Sequence, residues 1–240
     1  MELPKLGVDS ESPILRKDRM STGISDLDLI LEGGYKNPEN IMLLGPTGVE
    51  KMMMAFHFIS SGLKVSDEMI VFISSDSTYE NVSQRAQSIG VNLQASNLLF
   101  IDCYSSNLGN EKAPAEGRIL VAGPSALNDL SLAINEAIQK AGGKKMRVVF
   151  SSISTFMLYN PAESILKFLQ VVCGRLRKAN STAIFLVEEG VHEKKLLSVV
   201  EHTMDEKFEI KEENGVLKLS PPDLTESIPI KLGPGGISII

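Results

Sequence analysis

The sequence predicts an α/β fold, a mainly parallel sheet with helices on both faces and an antiparallel hairpin region at its C-terminal end. Three observations point to it. Short apolar runs alternate with helical patterns between residues 41 and 202. Those runs are continuous rather than alternating, as strands buried on both faces require. Beyond residue 205 the helical pattern stops, and strand-like segments follow one another around an Asn-Gly pair.

Taken in order, residues 1–20 are polar, contain Pro4 and Pro13, and read as a loose leader. Residues 21–240 read as a single domain without internal repeats. Leu27, Leu29, Ile30 and Leu31 form a short helical pattern stopped by Gly33 and Gly34. Residues 41–44 suit a buried strand, residues 45–50 a glycine-bearing loop, and residues 51–63 a helix ending at Gly62. Strand, helix and strand follow at 69–73, 79–89 and 98–103. Residues 105–123 have no period and are expected to form a long loop. Ser125 is placed to cap a helix that runs to about Ala141 and ends at Gly142 and Gly143. A strand is expected at 147–150. A helix opened by Pro161 reaches Ala179, followed by a strand at 183–187 and a helix at 191–202. Residues 208–210 and 216–219 flank Asn214-Gly215 as a β-hairpin, and 228–232 and 236–240 are two further strands.

Composition narrows the class of function. The chain has 43% hydrophobic and 22% charged residues, an ordinary globular balance. Net charge is −6, and a net acidic surface disfavours nucleic acid unless cations cluster; the densest basic groups, Lys144-Lys145-Met146-Arg147 and residues 175–178, sit beside apolar runs and read as solvated element ends. The long loop sets only Lys112 and Arg118 against Glu111 and Glu116. Cys103 and Cys173 stand in apolar segments and read as buried free thiols. His57, His192 and His202 are too far apart to form a metal motif, so no metal site is expected. No apolar stretch reaches the length of a membrane span and no secretory h-region is visible, so a cytoplasmic chain without membrane partners is expected.

One loop carries chemistry. Gly45-Pro46-Thr47-Gly48-Val49-Glu50-Lys51-Met52 lies between a strand and a helix, the setting of a phosphate-binding P-loop. In that motif backbone N–H groups cradle phosphates, a lysine reaches the β/γ-phosphates and a Ser/Thr hydroxyl binds Mg²⁺. Gly45, Gly48 and Lys51 fit. Glu50 stands where glycine belongs, and Met52 where the hydroxyl belongs.

The flanking segments match more widely. Ser21-Thr22-Gly23-Ile24 with Asp28, Gly33 and Gly34 resembles the entry to the KaiC branch of the RecA-like ATPases. Residues 126–131, Glu201-His202-Thr203 with Asp205, and Pro229-Ile230 with Gly233, Gly235 and Gly236 extend the resemblance to residues 21–240. It implies a RecA-like P-loop fold and further nucleotide stations beyond the loop. A pair of acids is expected after the next strand, where Ser74-Ser75-Asp76-Ser77-Thr78 keeps a single acid, Asp76. A Walker B aspartate is expected after Val148-Val149-Phe150, where Ser151 stands. A late Lys-x-Arg aligns with Ser220-Pro221-Pro222.

These departures share one direction. Mg²⁺ takes hard oxygen ligands, whereas Met52 offers a thioether and Ser151 a neutral hydroxyl. A Glu50 carboxylate about 4 Å from a phosphate charge would repel it by about 4 kcal/mol at an effective dielectric near 20. Lys51 either pairs with Glu50 or Asp76, the favoured reading, or remains an anion ligand. Met52-Met53-Met54 reads as core packing rather than a copper site, because consecutive helical residues share no face. Glu188-Glu189 reads as a rim feature. The candidate nucleotide-binding residues are Gly45, Pro46, Thr47, Gly48, Val49, Glu50, Lys51, Met52, Asp76 and Ser151, with no catalytic residue and no metal ligand. The expectation is a non-catalytic scaffold or regulatory protein without a required cofactor, any ATP or ADP binding being weak. Its expected partner is a second copy or a KaiC/RecA-like paralogue. The alternatives are nucleotide binding without turnover and a DNA-associated recombinase paralogue.

Overall fold

The structure, a computed structural model, describes residues 18–48, 50–109 and 115–240; the Glu50 side chain also lies outside the described set. The predicted leader to residue 17, Val49, and Glu111 and Lys112 of the long loop therefore fall outside it.

Ten strands form one sheet, ordered β12-β11-β10-β9-β3-β8-β7-β4-β5-β6. The parallel part comprises β3 (Glu39–Gly45), β4 (Glu68–Ser74), β5 (Leu98–Asp102), β6 (Arg118–Leu120), β7 (Lys145–Phe150), β8 (Ser181–Glu188) and β9 (Glu206–Glu213). Beyond β9, the strands β10 (Val216–Ser220), β11 (Ile228–Gly233) and β12 (Gly236–Ile239) run antiparallel to one another in turn. All seven residues of β3 are buried, which explains its unbroken apolar run. The hairpin turns at Asn214 and Gly215, both at positive φ (53° and 76°), as a tight two-residue turn demands.

The helices cover both faces. α2 (Glu50–Leu63) and α3 (Tyr79–Gln87) pack on one side, where Phe56, Phe58, Phe72 and Phe100 belong to a single core. α4 (Leu127–Ala141), α5 (Ile153–Tyr159), α6 (Ala162–Lys178) and α7 (Lys194–Thr203) pack on the other, around Phe150, Phe156, Leu169 and Phe185. Cys103 and Cys173 are buried thiols in that second core, and burial pushes Cys173 up to about 12. No helix among the described residues is long and apolar enough to cross a membrane.

Several expectations need correction. Arg19 and Met20, assigned to the leader, form β1 (Arg19–Met20) and pair with β2 (Tyr35–Lys36) beside α1 (Ser25–Ile30). The long loop contains a 3₁₀ turn at Ser105–Leu108 and the edge strand β6. Three residues are too few to show a period, and β6 is half-buried throughout. Ala126, not Ser125, precedes α4, and no side chain caps that helix. α2 ends at Leu63, as expected of residues 51–63, and Gly62 before it keeps space for Arg147, whose Cδ would lie 2.4 Å from a Cβ there. α5 went unpredicted, since seven residues behind a serine pair carry too little periodicity.

Arg147, expected at a solvated element end, is instead buried, and it explains that glycine. Its Nε donates to Glu68 at 2.5 Å. Nη1 donates to the carbonyls of Ser21 (2.6 Å) and Phe58 (3.0 Å), and the guanidinium lies 4.8 Å from the Phe58 ring centre. One cation thus ties β7 to β4, to α2 and to the segment before α1. Asp28 anchors that segment by accepting from the Ser21 hydroxyl (2.5 Å) and from the Thr22 amide and hydroxyl (both 2.6 Å). At the other end of the signature segments, Asp205 accepts from the Asn40 backbone (2.8 Å) and from Arg177 (2.8 Å), joining β3, β9 and α6.

At the start of β3, Glu39 is buried beside Glu206, with Lys36 4.0 Å away. Burial, then Glu206, push its carboxyl up to about 7, while Lys36 and Arg19 oppose.

Two outcomes follow from these charges. Replacing Arg147 by Met strands the Glu68 carboxylate and is expected to cost about 3–5 kcal/mol in urea unfolding. Glu39 has a raised pKa in the fold, so its stabilising share is complete at low pH and is lost as pH rises toward 7. Glu39→Gln is therefore expected to raise stability by about 1–3 kcal/mol near pH 8 and to change little near pH 4. A mutant no more stable than the wild type at alkaline pH would refute this account.

Candidate functional site

The C-terminal ends of β3, β8, β7 and β4 lie side by side in that order, and the loops leaving them form the site. The glycine-bearing loop leaves β3 and turns into α2, so the strand, loop and helix expected of a phosphate cradle are present. Thr47 and Gly48 at its tip are exposed and Pro46 is half-buried. Gly45 closes β3, and the amide of Glu189 donates to its carbonyl at 2.8 Å, fixing the loop to the end of β8.

Lys51 is buried, with 3% of its surface exposed. Its Nζ turns back on its own loop and donates to the carbonyls of Gly45 (3.1 Å) and Pro46. Asp76, the second partner considered for it, is engaged elsewhere. Met52 is buried in the core shared by Phe56, Phe58 and Ile59, so its thioether fills apolar space. Met54 is buried in the same core and Met53 packs against it, as the packing reading expects.

Asp76 and Ser151 come together across β4 and β7. Ser151 Oγ donates to Asp76 Oδ1 at 3.0 Å and accepts the Ser75 amide at 3.2 Å. Ser75 Oγ donates to the Ser152 carbonyl at 2.9 Å. Burial pushes the Asp76 carboxyl up; the Ser151 hydrogen bond opposes this, Glu188 adds to it and Arg85 opposes it.

The network continues through Ser152 and Ser154, which the sequence did not single out, and through Glu188, which it placed at the rim. Ser152 caps α5 by accepting the Thr155 amide at 3.1 Å and donates to Glu188 Oε2 at 3.2 Å. Ser154 Oγ accepts the Glu188 amide at 3.0 Å. Glu188 is therefore built into the site, while Glu189 is exposed at the rim. His192 follows β8 with a buried Nε2 that has no hydrogen-bond partner among the described residues. Burial lowers its pKa and Glu188 opposes. The signal that could have found these groups is Ser151-Ser152-Ile153-Ser154, hydroxyls clustered directly after a buried strand. At the aligned C-terminal station, Ser220 ends β10, and its hydroxyl meets that of Ser227 at 2.9 Å.

The architecture and the loop define a P-loop class of α/β protein. The family model of the KaiC ATPases matches residues 20–219, and the chain belongs to that family. It is 26% identical over 184 residues to the circadian clock oscillator protein KaiC of Parasynechococcus marenigrum, covering 75% of this chain and 34% of that protein. The chain thus spans about a third of the length of the clock proteins it matches. A UPF0273 protein of Pyrococcus horikoshii is 25% identical over 211 residues, covering 84% of this chain and 82% of the relative. In fold, the chain is similar to the crystal structure of a KaiC-like protein from Pyrococcus horikoshii OT3. The TM-score is 0.69 at 19% identity, covering 92% of this chain and 98% of that one.

Asp76 allows a direct check of the site's electrostatics. Its raised pKa means that its stabilising contribution is complete at low pH and declines as pH rises. Asp76→Asn keeps an oxygen to accept from Ser151 and removes the buried charge. At neutral pH it is expected to match or exceed wild-type stability, by about 1 kcal/mol at most, whereas Ser151→Ala should lose about 1 kcal/mol. Calorimetric melting of both variants decides this. A large loss in the Asn variant would mean that the charge itself is required.

Proposed function

We propose that this chain is a non-catalytic member of the KaiC family, acting through assembly or regulation rather than ATP hydrolysis. The observation that carries the reading is the hydrogen bond from Ser151 to Asp76. The family resemblance expects a metal-positioning carboxylate at the end of β7, and a neutral hydroxyl stands there with its proton already committed. Mg²⁺ requires hard oxygen donors in near-octahedral geometry. Met52, at the aligned hydroxyl position, contributes a sulfur that is packed in the core. This donor set does not fit the nucleotide-bound metal that the family implies. Without the metal, charge developing on a transferring phosphoryl group goes largely unneutralised.

A scaffold role follows by analogy of fold, which supports a partner of the same class, a second copy or a KaiC/RecA-like paralogue. Thr47 and Gly48 are exposed, which leaves the loop accessible to such a partner. A second reading, nucleotide binding without turnover, is favoured by one observation: Asp76 brings a carboxylate from β4 to the end of β7, close to where an acid is expected.

Titration calorimetry with ATP separates the two. The scaffold reading expects no Mg²⁺-dependent heat at about 1 mM ATP, a binding free energy weaker than about −4 kcal/mol. It also expects the same sedimentation behaviour with and without nucleotide. Glu50→Gly with Met52→Thr should then gain measurable binding. Micromolar, Mg²⁺-dependent binding by the native chain, lost in Asp76→Asn, would establish the second reading instead.

A further inference from the structure

We propose that His57 is a proton-operated latch holding the terminal strand of the sheet, β12, against α2. Among the described residues β12 is the outermost strand, paired on one side only, with β11. The amide of Ile237 donates to His57 Nε2 at 3.0 Å. An imidazole nitrogen accepts a hydrogen bond only when it carries no proton, so this contact requires neutral His57 with its proton on Nδ1. The amide so capped is one that a terminal strand would otherwise leave unpaired.

The surroundings are shaped around the ring. Gly236 lies at φ 95°, and a Cβ there would fall 2.3 Å from His57 Nε2. Gly23, at φ 83°, packs on the other side, where a Cβ would fall 2.0 Å from the His57 carbonyl oxygen. His57 therefore links the turn before α1, the helix that leaves the phosphate-type loop, and the edge of the sheet. β12 carries no ionisable side chain. On α1, Asp26 is exposed and Asp28 is held by Ser21 and Thr22; on β11, Lys231 is exposed. Burial is the largest influence on His57 and lowers its pKa, with a backbone hydrogen bond at Gly23 opposing.

The sign follows directly. A histidine whose pKa is depressed in the closed state contributes its full stabilisation above the ordinary value of 6.5. The contribution falls as pH drops from there through the lowered value. Acidification therefore opens β12 first, about tenfold for each pH unit separating the open and closed values.

Hydrogen exchange on the intact chain, from about pH 8 to about pH 5 and corrected for intrinsic rates, tests the latch. Ile237 is expected to lose protection below about pH 6.5 before Leu186 and Val149 in the central sheet do. His57→Gln, whose amide oxygen can still accept, is expected to abolish that pH dependence. Nitrogen chemical shifts of the wild-type imidazole should show the Nδ1–H form at neutral pH, a readout independent of any variant. A flat Ile237 profile in the wild type, an unchanged profile in His57→Gln, or a proton on Nε2 at neutral pH would each overturn the proposal.

Discussion

The buried guanidinium of Arg147 is the constraint on which the rest of the molecule depends. It reaches β4 through Glu68, α2 through the Phe58 carbonyl and the segment before α1 through the Ser21 carbonyl. A cation with five donors can engage several acceptors at once, here a carboxylate and two carbonyls. The cost of burying the charge is offset only while every partner stays in place. That condition fixes the tilt of α2 over the sheet, and α2 starts at the phosphate-type loop. A residue at the amino-terminal side of the strands thus sets the position of the loop at their carboxyl ends.

At those carboxyl ends the organisation is different. Hydroxyls and two carboxylates, supplied by Ser75, Ser151, Ser152, Ser154, Asp76 and Glu188, join the ends of β4, β7 and β8. The protein's own hydrogen bonds connect these strand ends. Lys51 is consistent with this pattern, since its ammonium is directed to carbonyls of its own loop.

The parallel strands were legible in the sequence because burial on both faces leaves long apolar runs, as in β3 and β8. The Asn214-Gly215 turn was legible because positive φ at both positions restricts the residues that fit. β6 and α5 were not, for they are too short to show a period. Of the site, the loop and the Asp76 and Ser151 positions could be found by spacing and resemblance. The bond between those two could not, since 75 residues separate them and only the strand order brings them together. Ser152 and Ser154 escaped notice for the same reason. The clustering of serines after β7 marks the place, but not the partner, which is Glu188 on the next strand.

Set against the KaiC family, the chain keeps one set of residues and departs at another. Asp28, Gly23 and Asp205 hold the fold: Asp28 ties the segment before α1, Gly23 gives the His57 backbone room, and Asp205 joins β3 to α6. Glu50, Met52 and Ser151 stand where the family's nucleotide chemistry is expected and depart from it. The two sets differ in what holds them: the first is fixed by hydrogen bonds and close backbone approach, whereas Met52 is fixed by packing. Its thioether, at the position aligned with a hydroxyl, adds apolar contact to the core on which α2 rests.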